Sequence, residues 1–190
     1  MSVRRRRTAE ESRSLILEVA ARRLREYGLE GLNITGVAEE AGIPHATLIH
    51  HFGSSGGMRD ALVDKMTLDL MEDLVSALGE KVPPRELIGN VFDALAAGGH
   101  AKLIAWRAVD GETDPGNYDL DAVTEMFDRL VATSSEVLNP DTQETLRRHI
   151  YLVAIAAIGH GLAGGTLARA LGMSAQEVET FPEWLNERLS

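Results

Sequence analysis

Residues 33–57 read Asn33-Ile34-Thr35-Gly36-Val37-Ala38-Glu39-Glu40-Ala41-Gly42-Ile43-Pro44-His45-Ala46-Thr47-Leu48-Ile49-His50-His51-Phe52-Gly53-Ser54-Ser55-Gly56-Gly57, and the fold turns on how they are read. Asn33 is a good N-cap for a short helix that carries Val37, Ala38 and Ala41. Gly42-Ile43-Pro44 must turn the chain, and a second short helix follows from about His45 to His51. Leu48 and Phe52 are four residues apart and point inward together. Two short helices joined by a glycine-containing turn form a helix-turn-helix pattern. Its second helix docks one face and leaves His45, Ala46, Thr47, Ile49 and His50 outward, where small side chains at 46 and 47 let the backbone approach base edges. The same spacing suits a solvent-facing helical hairpin, so spacing alone leaves DNA reading open.

Outward from this stretch the chain continues to read as helix. Before it, Thr8 and Glu11 form a capping box, Ile16, Val19, Ala20, Leu24 and Tyr27 form one stripe, and Gly28 stands at a C-cap. After it, apolar residues recur every fourth position from Met58 to Leu78. Further helices are expected from Pro84 through Leu95, over 100–109, 120–137 and about 141–171, and over 183–189. Glu112 to Tyr118 reads as a loop, and Ser174 with Glu177 as another capping box. The expectation is an all-α chain of about nine helices, with residues 1–54 and 55–190 as its two units.

The 190 residues suffice for one domain or two small ones. No cysteine is present, which excludes disulfides, thiolate metal sites and cysteine nucleophiles. The formal charge of −10 is unevenly spread. Residues 1–60 carry nine Arg and no Lys against eight acids, net +1; residues 61–190 carry ten basic and 21 acidic residues, net −11. A local basic face is compatible with that balance, whereas a wholly nucleic-acid-binding surface is not. Polar residues 8–12 stand where a signal peptide needs an apolar run, so cytoplasmic residence is the default.

In order, spacing and residue type, residues 9–66 resemble the DNA-binding half of the tetracycline-repressor (TetR) family of bacterial regulators. The resemblance is carried by Leu15-Ile16-Leu17 to Tyr27-Gly28, by Asn33 through Ile43, and by Thr47 through Ser54. It implies an all-helical homodimer whose three N-terminal helices bind double-stranded operator DNA. It also implies a C-terminal helical body that holds a small-molecule effector and the dimer interface. Repression relieved by that effector is the implied activity. Residue by residue, the resemblance places Thr35, His45, Ala46 and Thr47 where bases or phosphates are touched, and Asn33, His50 and His51 where the DNA backbone is approached. Three positions depart from the family pattern: Pro44 replaces a capping Ser or Thr, Ile49 a Tyr hydroxyl, and Ser55 a phosphate-binding Lys. Each lost charge weakens sequence-independent binding. Ile49 can still meet a thymine methyl, the N–H groups at Ser55 to Gly57 form a phosphate site, and Arg4-Arg5-Arg6-Arg7 can lie along phosphates or in the minor groove. The alternative is a helical ligand-binding or adaptor protein with weak or lost DNA binding.

Nothing in the sequence marks an enzyme or a cofactor site: no Gly-x-Ser-x-Gly elbow, no His-Glu-x-x-His and no dinucleotide fingerprint occurs. His45, His50 and His51 do not share one helical face, and His149 and His160 lie about 16 Å apart along a helix, so no metal is expected. Ile150 to Ala168 contains no Asp, Glu, Lys or Arg. Its glycines dilute the hydrophobicity, which favours a subunit seam over a membrane span. Ala157, Ile158, Gly161, Leu162 and Gly165, with Trp184, are the candidates for that seam. For the ligand pocket that the resemblance implies, the candidates are Phe92, Leu103, Trp106, Arg107, Met126, Phe127, His149 and Tyr151.

Overall fold

The computed structural model describes residues 8–97, 99–110, 120–138 and 143–189. Among these there is no strand. The arginines 4–7 and the loop expected over 112–118 lie outside the described residues.

Helix α1 (Ala9–Tyr27) starts on the expected capping box: the Glu11 N–H donates to Thr8 Oγ1 (3.1 Å) and the Thr8 N–H to Glu11 Oε2 (2.8 Å). Ile16, Val19, Ala20 and Leu24 are buried, but Tyr27 is exposed. The stripe ends early because Gly28, at φ 65°, turns the chain into a 3-10 segment, Gly28–Leu32, and the Arg23 guanidinium lies over the Tyr27 ring. Helices α2 (Ile34–Ala41) and α3 (His45–Phe52) follow, separated by Gly42 in the left-handed conformation. Helix α4 (Ser55–Gly79) starts inside the glycine-rich stretch, where Ser54 Oγ accepts the Gly57 N–H at 3.0 Å.

Helix α5 (Pro84–Phe92) widens into a π-helical segment, Asp93–Ala97. Then come α6 (His100–Asp110), α7 (Leu120–Leu138) and α8 (Gln143–Leu171). The Ser174 capping box starts a five-residue helix, α9 (Ala175–Glu179), before α10 (Phe181–Leu189). The described residues therefore hold ten helices where about nine were expected, and α9 is the addition.

One core joins α1, α2 and α3 to the first turns of α4 and to one residue of α6. Ile16, Leu24, Leu32, Val37, Leu48, Met58, Leu62, Val63 and Leu103 are all but fully buried within it. The body has smaller clusters: Phe92, Leu95, Val153, Ala157 and Leu185 in one, and Leu74, Leu78, Leu87 and Leu130 in another.

Candidate nucleic-acid interface and effector cavity

The α2–α3 pair is set by backbone geometry. Gly42 closes α2, and the Ile43 N–H donates to the Ala38 carbonyl at 3.0 Å. Pro44 stands at the N-cap of α3 with no side-chain hydrogen bond; only its carbonyl engages the helix, through the Thr47 N–H at 2.9 Å. With Leu48 and Phe52 buried, α3 presents His45, Ala46 and His50 to solvent, while Thr47, Ile49 and His51 are half-buried. Thr35 is exposed on the first turn of α2. Asn33 is engaged in the fold: its Oδ1 accepts the Gly36 N–H at 2.8 Å and its Nδ2 donates to the Glu30 carbonyl at 3.0 Å. The Ser55 hydroxyl reaches the Leu32 carbonyl at 3.4 Å, tying α4 to the head. A Cβ at Gly57 would collide with the Phe52 carbonyl, so this glycine serves the α3–α4 junction.

Three arginines that the sequence reading passed over fix the orientation of these helices. Arg13 donates to the His51 carbonyl at 3.0 Å and lies 4.5 Å over the Phe52 ring, holding the C-terminal end of α3. Arg22 and Arg23 both pair with Glu40 of α2, at 2.6 and 3.0 Å, and Arg23 Nε also donates to the Gly31 carbonyl at 2.8 Å. Hydrogen bonds from Arg22 and Arg23 hold the Glu40 carboxyl below its ordinary pKa. An acid on the exposed end of α2 and arginines one helix away carry a weak signal in sequence, because their meeting depends on the α1–α2 crossing.

In the body, α4, α5, α6, α7, α8 and α10 surround a cavity of about 560 Å3. Volumes of about 300–1,000 Å3 are usual for small-molecule sites. Leu70, Met71, Leu74, Leu78, Leu87, Val91, Ile150 and Val153 supply most of the apolar wall. Thr67, His100, Ser134, Thr145, His149 and Asn186 supply its polar atoms. His100, the first residue of α6, is buried, and its Nε2 lies 3.1 Å from Thr67 Oγ1. Burial, then the neighbouring Arg107 charge, push its pKa down to about 4, so the ring is neutral at physiological pH.

Of the sequence candidates for the pocket, Phe127 and His149 line this cavity. The other six lie elsewhere. Phe92 packs in the α5–α8–α10 core, and Leu103 belongs to the head core, with Trp106 packed beside it and beneath Arg59. Arg107 is paired with Asp64 at 3.0 Å, Met126 is buried against Met71, and Tyr151 is 70% exposed. Helical order placed the aromatic residues in the right half of the chain, but only the crossing of helices decides which side chains meet.

The seam candidates are divided too. Ala157 is fully buried within the protomer, and Ile158 lines the cavity. Gly161 abuts the π-helical segment of its own chain, where an added Cβ would lie 2.8 Å from Ala96 Cα. Those three face inward. Leu162, Gly165 and Trp184 are exposed. Leu162 shares a face with Tyr151, Leu152, Ile155, Gly159 and Thr166, which recur at three- and four-residue spacings and are all exposed. Helix α8 is also long and apolar enough to cross a membrane, by length and composition alone. Among the described residues, no three His, Asp or Glu side chains gather where they could hold a metal ion.

Residues 16–62 match the family described as bacterial regulatory proteins, tetR family. The chain is similar in structure to a candidate transcriptional regulator from Saccharomonospora viridis in complex with choline. That likeness has a TM-score of 0.58 at 19% identity over 94% of this chain and 95% of that one. A candidate transcriptional regulator from Rhodococcus sp. RHA1 has a TM-score of 0.58 at 16% identity, over 94% of this chain and 95% of its own. Identities this low speak for a shared fold alone. No curated protein matches the chain.

Proposed function

We propose, from the match of residues 16–62 to the tetR family of bacterial regulatory proteins, that the chain is a homodimeric repressor which a small, largely apolar molecule releases from its operator. Residues 1–54 read the DNA, and residues 55–190 bind the effector and the second copy. His45, Ala46, Thr47 and His50 on α3, with Thr35 on α2, meet the major groove. Arg4 to Arg7 extend along the phosphates and supply cationic charge that α3 lacks.

The observation that carries this reading is the double placement of α6. Leu103 is fully buried in the head core, while His100 and Ile104 line the cavity. Asp64 and Arg59 of α4 clamp the far end of α6, at Arg107 and Trp106. Gly99, just before α6, packs on Leu24 of α1. A molecule that fills the cavity and displaces α6 must therefore move the head. In the dimer, two α3 helices suited to successive major grooves, about 34 Å apart, lose that match, and the operator-bound population falls.

The dimer face is the exposed stripe of α8 from Tyr151 to Thr166. A second copy covers it better than lipid does, because the helix faces its own cavity and core on the other side. Cytoplasmic residence follows. Choline belongs to the S. viridis protein; the described residues lining this cavity include no carboxylate to balance a cation.

The test is a gel shift on DNA from upstream of the protein's own coding region, combined with genomic footprinting. A footprint with two-fold symmetry supports the reading. Absence of any preferred site sinks it in favour of a ligand-binding protein without DNA recognition. Deleting residues 1–7 is expected to weaken binding and flatten its salt dependence.

A further inference from the structure

We propose that the effector is an elongated, uncharged molecule with a hydroxyl group at one end, which binds the Thr67 oxygen beside His100. The proposal rests on the cavity being the effector site, as argued above, and adds the chemistry of what fills it.

Shape comes first. Thr67, Leu70, Met71, Leu74 and Leu78 of α4 all line the cavity, and eleven residues of helix rise about 16 Å. At the Leu78 end, Leu87 and Leu130 of α5 and α7 pack against it in one buried cluster. The site is therefore a channel along α4 with a largely aliphatic wall.

Charge comes next. The described lining residues include no Asp, Glu, Lys or Arg. His100 is neutral because it is buried and stands near Arg107. Apart from His149, the described lining offers an ion no opposite charge, and losing hydration without one is costly.

The hydrogen-bond inventory then fixes the head group. Thr67 Oγ1 and His100 Nε2 are 3.1 Å apart, and both line the cavity. A hydroxyl has one hydrogen and two lone pairs. If Thr67 donates to His100, both lone pairs remain; if His100 donates, one does. Either tautomer leaves an acceptor at this end of an apolar channel. Thr67 is half-buried and already bonded to His100, so its remaining lone pair faces the channel as a place for a donor that the ligand brings. A ligand hydroxyl does so without carrying charge.

The test uses the full-length protein and four probes built on a ten-carbon chain: 1-decanol, decyl methyl ether, decanoate and decyltrimethylammonium. Binding is read by calorimetry and by thermal shift. Decanol should bind about tenfold more tightly than the ether, which corresponds to about 1.4 kcal/mol, and more tightly than either ion. Thr67→Val should remove the advantage of decanol over the ether, and Thr67→Ser should keep it. Equal affinity for decanol and the ether, tighter binding of either ion, or an unchanged preference in Thr67→Val overturns the inference and leaves the cavity as an effector site. Failure of all four probes to bind overturns the cavity reading and this inference with it.

Discussion

The head and the body of this protein are packed by different rules. Among the described residues, ten large side chains are essentially inaccessible, and nine of them belong to the core shared by α1, α2, α3, the start of α4 and Leu103 of α6. The tenth is His100, at the edge of the cavity. Helices α5, α7, α8 and α10 contribute none of these, although they include much of the chain's apolar sequence. A DNA-reading head must present α3 in one orientation, which requires a filled core. The body keeps a void, as the proposed effector site requires, and on α8 it leaves an apolar face exposed.

The sharpest way to break this contrast is at the α8 face. Ile155 is 50% exposed on the stripe from Tyr151 to Thr166. Ile155→Glu should leave the protomer folded, with unchanged helical circular dichroism, but convert a dimer to a monomer in sedimentation and abolish operator binding. A variant that remained dimeric would mean that another face joins the copies.

Next in size is a pair of truncations. Leu103→Ala removes a fully buried side chain from the head core and should cost about 2–5 kcal/mol in denaturant unfolding. Leu74→Ala removes a side chain that already borders a void, so fewer contacts are lost and the cost should fall to about 1–2 kcal/mol. Equal costs would show that the cavity wall is packed as tightly as the head.

His100 links the two regions and gives the contrast a pH dependence. An unfolded histidine titrates near 6.5 and the folded one near 4, because burial and Arg107 disfavour its charged form. Between those values the unfolded chain binds the proton and the folded one does not, so stability falls as pH drops from 6.5 towards 4. At 1.36 kcal/mol per pH unit the loss is about 3 kcal/mol. In His100→Gln this component should vanish, which unfolding free energies measured at several pH values from 4 to 7.5 would show. Parallel profiles for the two proteins would mean that His100 becomes protonated without strain.

The legibility of the sequence follows the same division. The head was readable because its signals are local: the Asn33 cap, Gly42 at positive φ, and Leu48 with Phe52 on one face each depend on residues no more than four positions apart. The body was readable as helices but not as a site. Trp106 and Leu103 look like pocket residues in a list of apolar side chains, yet the packing of α6 on α4 turns them to the head. Thr67 looks like a polar interruption in an apolar row and becomes the polar end of a channel only when α6 brings His100 to it. The small residues of α8 misled in a more informative way. Ala157 and Gly161 allow close helix approach, as their size suggests, but the neighbour they admit is within the same chain. The larger residues Ile155 and Leu162 remain outside.

Arg13 sharpens the comparison at its smallest scale. It is exposed, so its hydrogen bond to the His51 carbonyl and its position over Phe52 are largely solvated. Arg13→Ala should therefore cost only about 1 kcal/mol of stability. Yet those two contacts are made at the end of α3, whose other constraints are the burial of Leu48 and Phe52 and the backbone turn at Gly53. Releasing them lets the helix rotate about its buried side chains and spreads the positions of His45, Ala46 and Thr47. Operator affinity should fall by more than the stability change accounts for, while binding to random DNA of equal length stays nearly constant, because phosphate attraction tolerates that spread. An equal fall on both DNAs would assign Arg13 to phosphate contact instead of to the setting of α3.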